Sequence, residues 1–116
     1  MALPLVTADE RARLLTHGQA LAAVQRFDPL PVVRLFTPDA HATWLLVSLD
    51  PADTDTAYGL IDLGIGMPAL GTVKLSDLAG IVGPRGLPVR RDRYFLAVRP
   101  LSEYVRLSQE DGSISD

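Results

Sequence analysis

Thr43-Trp44-Leu45-Leu46-Val47-Ser48-Leu49-Asp50 is the stretch on which the reading of this chain turns. It is short and almost wholly apolar. Turn residues bound it on both sides: Pro38-Asp39-Ala40-His41 before it, and the polar loop from Pro51 to Thr56 after it. Such a run reads as a β-strand. Because neither alternate set of positions is polar, the strand is expected to be central or covered on both faces. Working outward, Val32 to Thr37 predicts a strand with Val33 and Leu35 on one face and Arg34 and Phe36 on the other. Tyr58 to Ile65 predicts a third strand, interrupted by Asp62. Gly64-Ile65-Gly66-Met67-Pro68 is a turn, Thr72 to Leu75 a short fourth strand, and Tyr94 to Val98 a fifth.

Helix signals flank these strands. Thr7-x-x-Glu10 is a capping box opening a helix through Leu14 and Leu15, with Gly18 after His17 as its expected stop. A second short helix is expected from Gln19 to Phe27, with Leu21 and Val24 inward, ended by Pro29 and Pro31. Ser76 is expected to cap one or two helical turns through Leu78 and Ile81. Gly83 to Pro88 is a shaped loop. Pro100 to Leu107 suits a last helix with Leu101, Tyr104 and Val105 inward, followed by a frayed acidic tail over residues 109–116. The expected fold is one α+β domain over residues 1–108: an antiparallel meander of four or five strands covered by short helices. Leu45, Val47, Leu60, Val73 and Leu96 are expected in its core.

The 116 residues fit one domain. By surface scaling about two thirds of the chain's surface is buried on folding, enough for a core without staples. The apolar content of 47% is that of a globular protein. There is no cysteine, hence no disulfide framework and no thiolate metal site. Met1 to Glu10 has neither the basic start nor the apolar run of a signal peptide, and no stretch approaches a membrane span. A cytoplasmic protein without membrane contact is expected.

The net charge of −3 is modest but unevenly spread. Between Thr37 and Val73 lie five acids (Asp39, Asp50, Asp53, Asp55, Asp62) and no Lys or Arg. Between Gly83 and Arg99 lie five arginines (Arg85, Arg90, Arg91, Arg93, Arg99) against Asp92. One reading is a pair of solvated faces that attract each other in the fold. The other is a charged docking surface.

No motif carries a reaction. Gly66-x-x-x-x-Gly71 has phosphate-loop spacing, but Thr72-Val73 follows where Lys then Ser or Thr is needed. Gly64-x-Gly66 fails the dinucleotide fingerprint at Pro68. Asp50, Asp53 and Asp55 resemble part of a calcium loop that lacks its turn Gly and closing Glu. His17 and His41 are too few for a closed metal shell, and no serine lies in a nucleophile elbow beside His41 and Asp39. No catalytic residue, tight metal site or cofactor is expected. Arg90-Arg91-Asp92-Arg93-Tyr94-Phe95 is the one segment where basic and aromatic residues interleave, as contacts to nucleic acid require. An acidic chain of pI about 5.2 lacks the wider basic footprint of such proteins.

Leu35-Phe36-Thr37-Pro38-Asp39, Thr43-Trp44, Tyr58-Gly59-Leu60, Asp62-Leu63-Gly64, Leu70-Gly71, Leu75-Ser76, Gly86-Leu87-Pro88-Val89, Arg91-Asp92 and Pro100-Leu101-Ser102 follow one another in an order that resembles a bacterial family, domain of unknown function 2958. The resemblance covers about residues 7 to 107. The family is often carried on plasmids and integrative conjugative elements, so the resemblance implies an accessory role in mobile-element biology. It brings no activity and no catalytic residue with it. Its motifs mark two shaped loops, Phe36 to Asp39 and Gly86 to Asp92, expected at one end of the sheet.

The leading expectation is a non-enzymatic accessory protein of a mobile element that acts by protein–protein contact. Asp39, Trp44, Arg85, Arg90, Arg91 and Arg93 are its candidate contact residues. The alternatives are weak nucleic-acid binding through the Arg85 to Arg93 cluster, and a small hydrolase or metal enzyme using His41 with Asp39 or Asp62.

Overall fold

The computed structural model describes residues 5–23 and 28–114. In chain order its elements are α1 (Ala8–Ala23), β1 (Val33–Phe36), β2 (Thr43–Leu49), β3 (Thr56–Asp62), β4 (Ala69–Lys74), α2 (Leu75–Ala79), β5 (Arg90–Arg91) and α3 (Leu101–Asp111). The strands form one sheet in the order β4-β3-β2-β1-β5, and every pairing is antiparallel. The fold is α+β, an antiparallel meander with a fifth strand added beyond β1.

β2 is apolar on both sides because the sheet is covered on both sides. Trp44, Leu46 and Leu49 pack with Leu14 of α1, Leu75 and Leu78 of α2, and Val33 and Leu35 of β1. Leu45 and Val47 pack on the other face with Leu60 and with Leu101 and Tyr104 of α3. A bulge between Leu46 and Ser48 lets both faces be served. Val47 and Ser48 fall on the α3 side, Ser48 opposite Tyr58, so Leu49 returns to the α1 side opposite Ala57. The Val47 carbonyl accepts a hydrogen bond from His17 Nδ1 of α1 (2.8 Å). A carbonyl can only accept, so His17 carries its proton on Nδ1.

The capping box is present in full. Thr7 N–H donates to Glu10 Oε1 (2.8 Å) and Glu10 N–H to Thr7 Oγ1 (3.1 Å). The expected stop at Gly18 is not: α1 runs unbroken to Ala23, so His17 lies within the helix and Gln19 to Ala23 belong to it. Val24 to Phe27 of the expected second helix lie outside the described residues. Gly18 is a contact residue. A Cβ there would run onto the Leu49 carbonyl oxygen, so the missing side chain lets α1 seat directly on β2.

Three further expectations are corrected. Tyr94 to Val98 is extended but joins no ladder; the place beside β1 is taken by Arg90 and Arg91, opposite Phe36 and Leu35. Phe95 and Ala97 face the α3 cluster, so alternation is real, but Leu96 points out, 81% exposed, and is no core residue. Ser76 does not cap α2, whose N-cap is Lys74 without a side-chain bond. α3 also runs past Leu107: Gln109 to Asp111 continue it, Gly112 ends it in the left-handed conformation, and Ile114 N–H donates to Asp62 Oδ2 (2.9 Å). Leu45, Val47 and Leu60 are fully buried, and Val73 packs partly buried against the α1 side.

The close seat of α1 gives a stability prediction. Gly18→Ala improves helix propensity by up to about 1 kcal/mol yet forces α1 off β2, and overpacking of this kind costs about 1–3 kcal/mol. A net loss of stability is expected in denaturant titration. Gly80→Ala, whose Cβ would meet Asp77 O at 3.6 Å, is the control expected to change little. Equal stability of the two variants would remove the close-contact account.

Candidate functional site

The two shaped loops do meet, and Asp39 joins them. Its Oδ2 accepts the Arg85 N–H (2.7 Å) and, longer, the Leu87 N–H (3.4 Å). A Cβ on Gly83 would strike the same carboxylate, so Gly83 makes room for it. Asp39 is thus consumed in holding the Gly83 to Leu87 turn. Trp44, 3% exposed among core leucines, offers a partner no surface.

The other acids of the Thr37 to Val73 segment are used the same way. Asp50 Oδ1 accepts from Ala52 N–H, and Asp62 Oδ1 from Gly64 N–H (both 2.9 Å). Asp53 accepts from Thr56 Oγ1 and from the amides of Thr56 and Asp55. Those bonds, the Thr56 hydroxyl first, hold the Asp53 carboxyl down at about 2 from an ordinary 3.8. Asp55 accepts from both the amide (3.0 Å) and the hydroxyl (2.6 Å) of Ser76 at the start of α2. Asp28 does the same for Ser102 at the start of α3. The acidic segment is turn and helix-start chemistry rather than a docking face.

The arginines divide into used and free. Arg91 Nη1 pairs with Glu10 Oε2 (3.3 Å), tying β5 to the start of α1. Asp92 pairs with Arg34 (3.2 Å) and caps Tyr94 N–H (3.0 Å). Arg99 lies over the Tyr104 ring, 5.5 Å from its centroid. Arg85, Arg90 and Arg93 are exposed, and none forms an ion pair among the described residues. Of the cluster, Arg91 is neutralised by Glu10, while Asp92 is spent on Arg34, a cation outside it. The five acids from Thr37 to Val73 form no ion pair with the cluster among the described residues.

Beside these cations runs the row that the sequence reading missed. Tyr94, Leu96 and Val98 are 90%, 81% and 70% exposed. Phe95 and Ala97 anchor the row from below, and Val98 N–H donates to Tyr104 Oη (3.2 Å). The alternation was legible in the sequence; which face is outward is set by the packing of Phe95 and Ala97 on the α3 cluster.

His41 and Asp62 line one open cleft of about 560 Å³ with Arg34, Phe36, Thr43 and Ile114. Asp62 spends its oxygens on the Gly64 and Ile114 amides and Asp39 spends Oδ2 on the far loop, so neither carboxylate is hydrogen bonded to His41. Among the described residues no three His, Asp or Glu side chains gather as a metal-ligand set. Among them, too, no helix is long and apolar enough to cross a membrane.

Fold and surface together define a small α+β domain with aspartate-tied loops and an exposed apolar row at Tyr94, Leu96 and Val98. The chain belongs to the family described as Protein of unknown function (DUF2958), whose model matches residues 5–115. No curated protein and no solved structure matches it.

Two measurements follow. Asp39→Ala removes a charged acceptor from the Arg85 amide, a loss of about 1–3 kcal/mol; amide exchange at Arg85 should quicken more than at Leu60, and uniform quickening would show that Asp39 does not act on the loop. Because the folded Asp53 carboxyl is depressed, its stabilising contribution is full above the unfolded value near 3.8 and lost as pH falls through about 2. NMR titration should find that midpoint, and Thr56→Val should raise it toward 3.8.

Proposed function

We propose that this domain is a non-enzymatic accessory protein of a mobile genetic element, working in the cytoplasm through protein–protein contact. The observation that carries the reading is the exposed row Tyr94, Leu96 and Val98. Three large apolar side chains in succession, on a segment held firmly from beneath, are costly to leave in water unless a partner covers them. Their setting suits an interface. Tyr94 is an aromatic anchor, Arg90 and Arg93 supply a charged rim, and aliphatic Leu96 and Val98 match an apolar protein surface better than a nucleobase.

A photo-crosslinking residue in place of Leu96, expressed beside the chain's native gene neighbourhood, is expected to give one discrete protein adduct. The same probe at exposed Gln109 on α3 should not. Leu96→Asp with Val98→Asp should abolish the contact while changing stability by less than about 0.5 kcal/mol per site. No adduct at Leu96, or equal labelling at both positions, would overturn the reading.

A second reading rests on Arg85, Arg90 and Arg93, exposed and without an ion pair among the described residues. Three phosphate contacts would give a log-affinity against log-salt slope of about −2.7 on duplex DNA. Binding no tighter than about 10⁻⁶ M at physiological salt is expected, because one exposed aromatic cannot stack a run of bases. Nanomolar binding lost on Arg90→Glu with Arg93→Glu would make nucleic acid the leading partner.

A further inference from the structure

The two edges of the sheet are finished differently. β5 is two residues long and both are arginines, with Pro88 just before it; a short, charged, proline-flanked strand is how proteins blunt an edge. β4 has six residues, Ala69-Leu70-Gly71-Thr72-Val73-Lys74, and is also an edge. It has no bulge against β3, no proline and no acid, and its single charge is at its end. Leu70 is 45% exposed, and Ile65 and Met67 on the turn before β4 are 70% and 74% exposed.

The hydrogen-bond phase of β4 follows from its last contact. Leu75 N–H donates to the Asp55 carbonyl (2.9 Å). Antiparallel ladders alternate, so Val73, Gly71 and Ala69 also direct their N–H and C=O groups at β3. Leu70, Thr72 and Lys74 direct theirs outward. No hydrogen bond from these three to a described residue outside β3 is present.

We infer that β4 pairs with β4 of a second copy of this chain, antiparallel about a two-fold axis at Thr72. That register sets Leu70 against Lys74 of the other copy, Thr72 against Thr72, and Lys74 against Leu70. All the outward N–H and C=O groups are satisfied at once, and the two sheets become one. The seam needs no foreign sequence, because the strand complements itself: a β-branched pair sits at the centre, and each Lys74 stem lies over a leucine. A strand of six residues is about 20 Å long. A seam made by one short strand pair is small beside the roughly 1,000 Å² that a stable specific interface buries, so the dimer is reversible. The seam is at the opposite edge from β5 and does not depend on the Tyr94 to Val98 row.

Sedimentation of the full chain from micromolar to hundreds of micromolar should show a monomer–dimer equilibrium. Thr72→Pro removes only an outward N–H and leaves the β3 ladder whole; Thr72→Lys sets two cations face to face. Each should weaken the dimer at least tenfold with the thermal transition kept, and if the proline variant does not fold the lysine variant reads alone. In the native chain the Leu70, Thr72 and Lys74 amides should exchange more slowly as concentration rises. A chain that stays monomeric throughout, a dimer that survives Thr72→Lys, or amides at these positions whose exchange ignores concentration, would each overturn the assignment.

Discussion

Aspartate carboxylates accepting backbone amides hold this molecule together. A helix leaves its first N–H groups unpaired, and a tight turn leaves one or two more. Here acids meet many of those donors, some from within the same turn and others from far away in sequence. Asp55 reaches α2 across 21 positions and Asp28 reaches α3 across 74. The two starts are built alike: a buried leucine at the first helical position, then a serine offering both amide and hydroxyl to the aspartate (Leu75-Ser76 and Leu101-Ser102). Asp39 and Asp62 extend the device to loop and tail. Because each bond is charge-assisted and spans separate elements, it fixes the placement of short helices that have little stability of their own.

That placement is what the sheet requires. β2 is covered on two faces, so a helix or segment must be delivered to each. α1 comes first and seats through Gly18 and His17 on the bulged end of β2. α2 follows β4 directly and sends Leu75 and Leu78 under the same face. α3 and the Phe95 to Ala97 segment close the other. The bulge is the hinge of this arrangement, since without its extra residue Leu49 would point at α3 instead of α1.

The elements with a local cause were legible in the sequence. The period and turn signals around Thr43 to Asp50 located β2 and its neighbours, and Thr7-x-x-Glu10 located α1. What was not legible had a distant cause. Gly18 carries a helix-stop signal unless one knows that Leu49 lies against it. Tyr94 to Val98 alternates like a strand, but Arg90-Arg91 fills the slot beside β1, and the inward face is set by Leu45, Val47 and Leu60, distant in sequence, on whose cluster Phe95 and Ala97 pack. Asp39 and Trp44 stand out as contact candidates by residue type alone, and the structure gives each an internal use. The Leu-Ser doublets were visible as recurring motifs; their aspartate partners were not.

The same distinction explains how an acidic chain presents a basic margin. A carboxylate that accepts amide hydrogens still carries its charge, but that charge is met by the N–H dipoles of the turn it holds. Arginine has no such local outlet, because its five donors need an acceptor group of matching geometry. Arg91 and Arg34 find one in Glu10 and Asp92; Arg85, Arg90 and Arg93 find no carboxylate partner among the described residues. Segregation of charge along the sequence therefore does not become two faces attracting one another. The acids are spent on architecture across the sheet, and the residual positive charge gathers beside the exposed row of Tyr94, Leu96 and Val98.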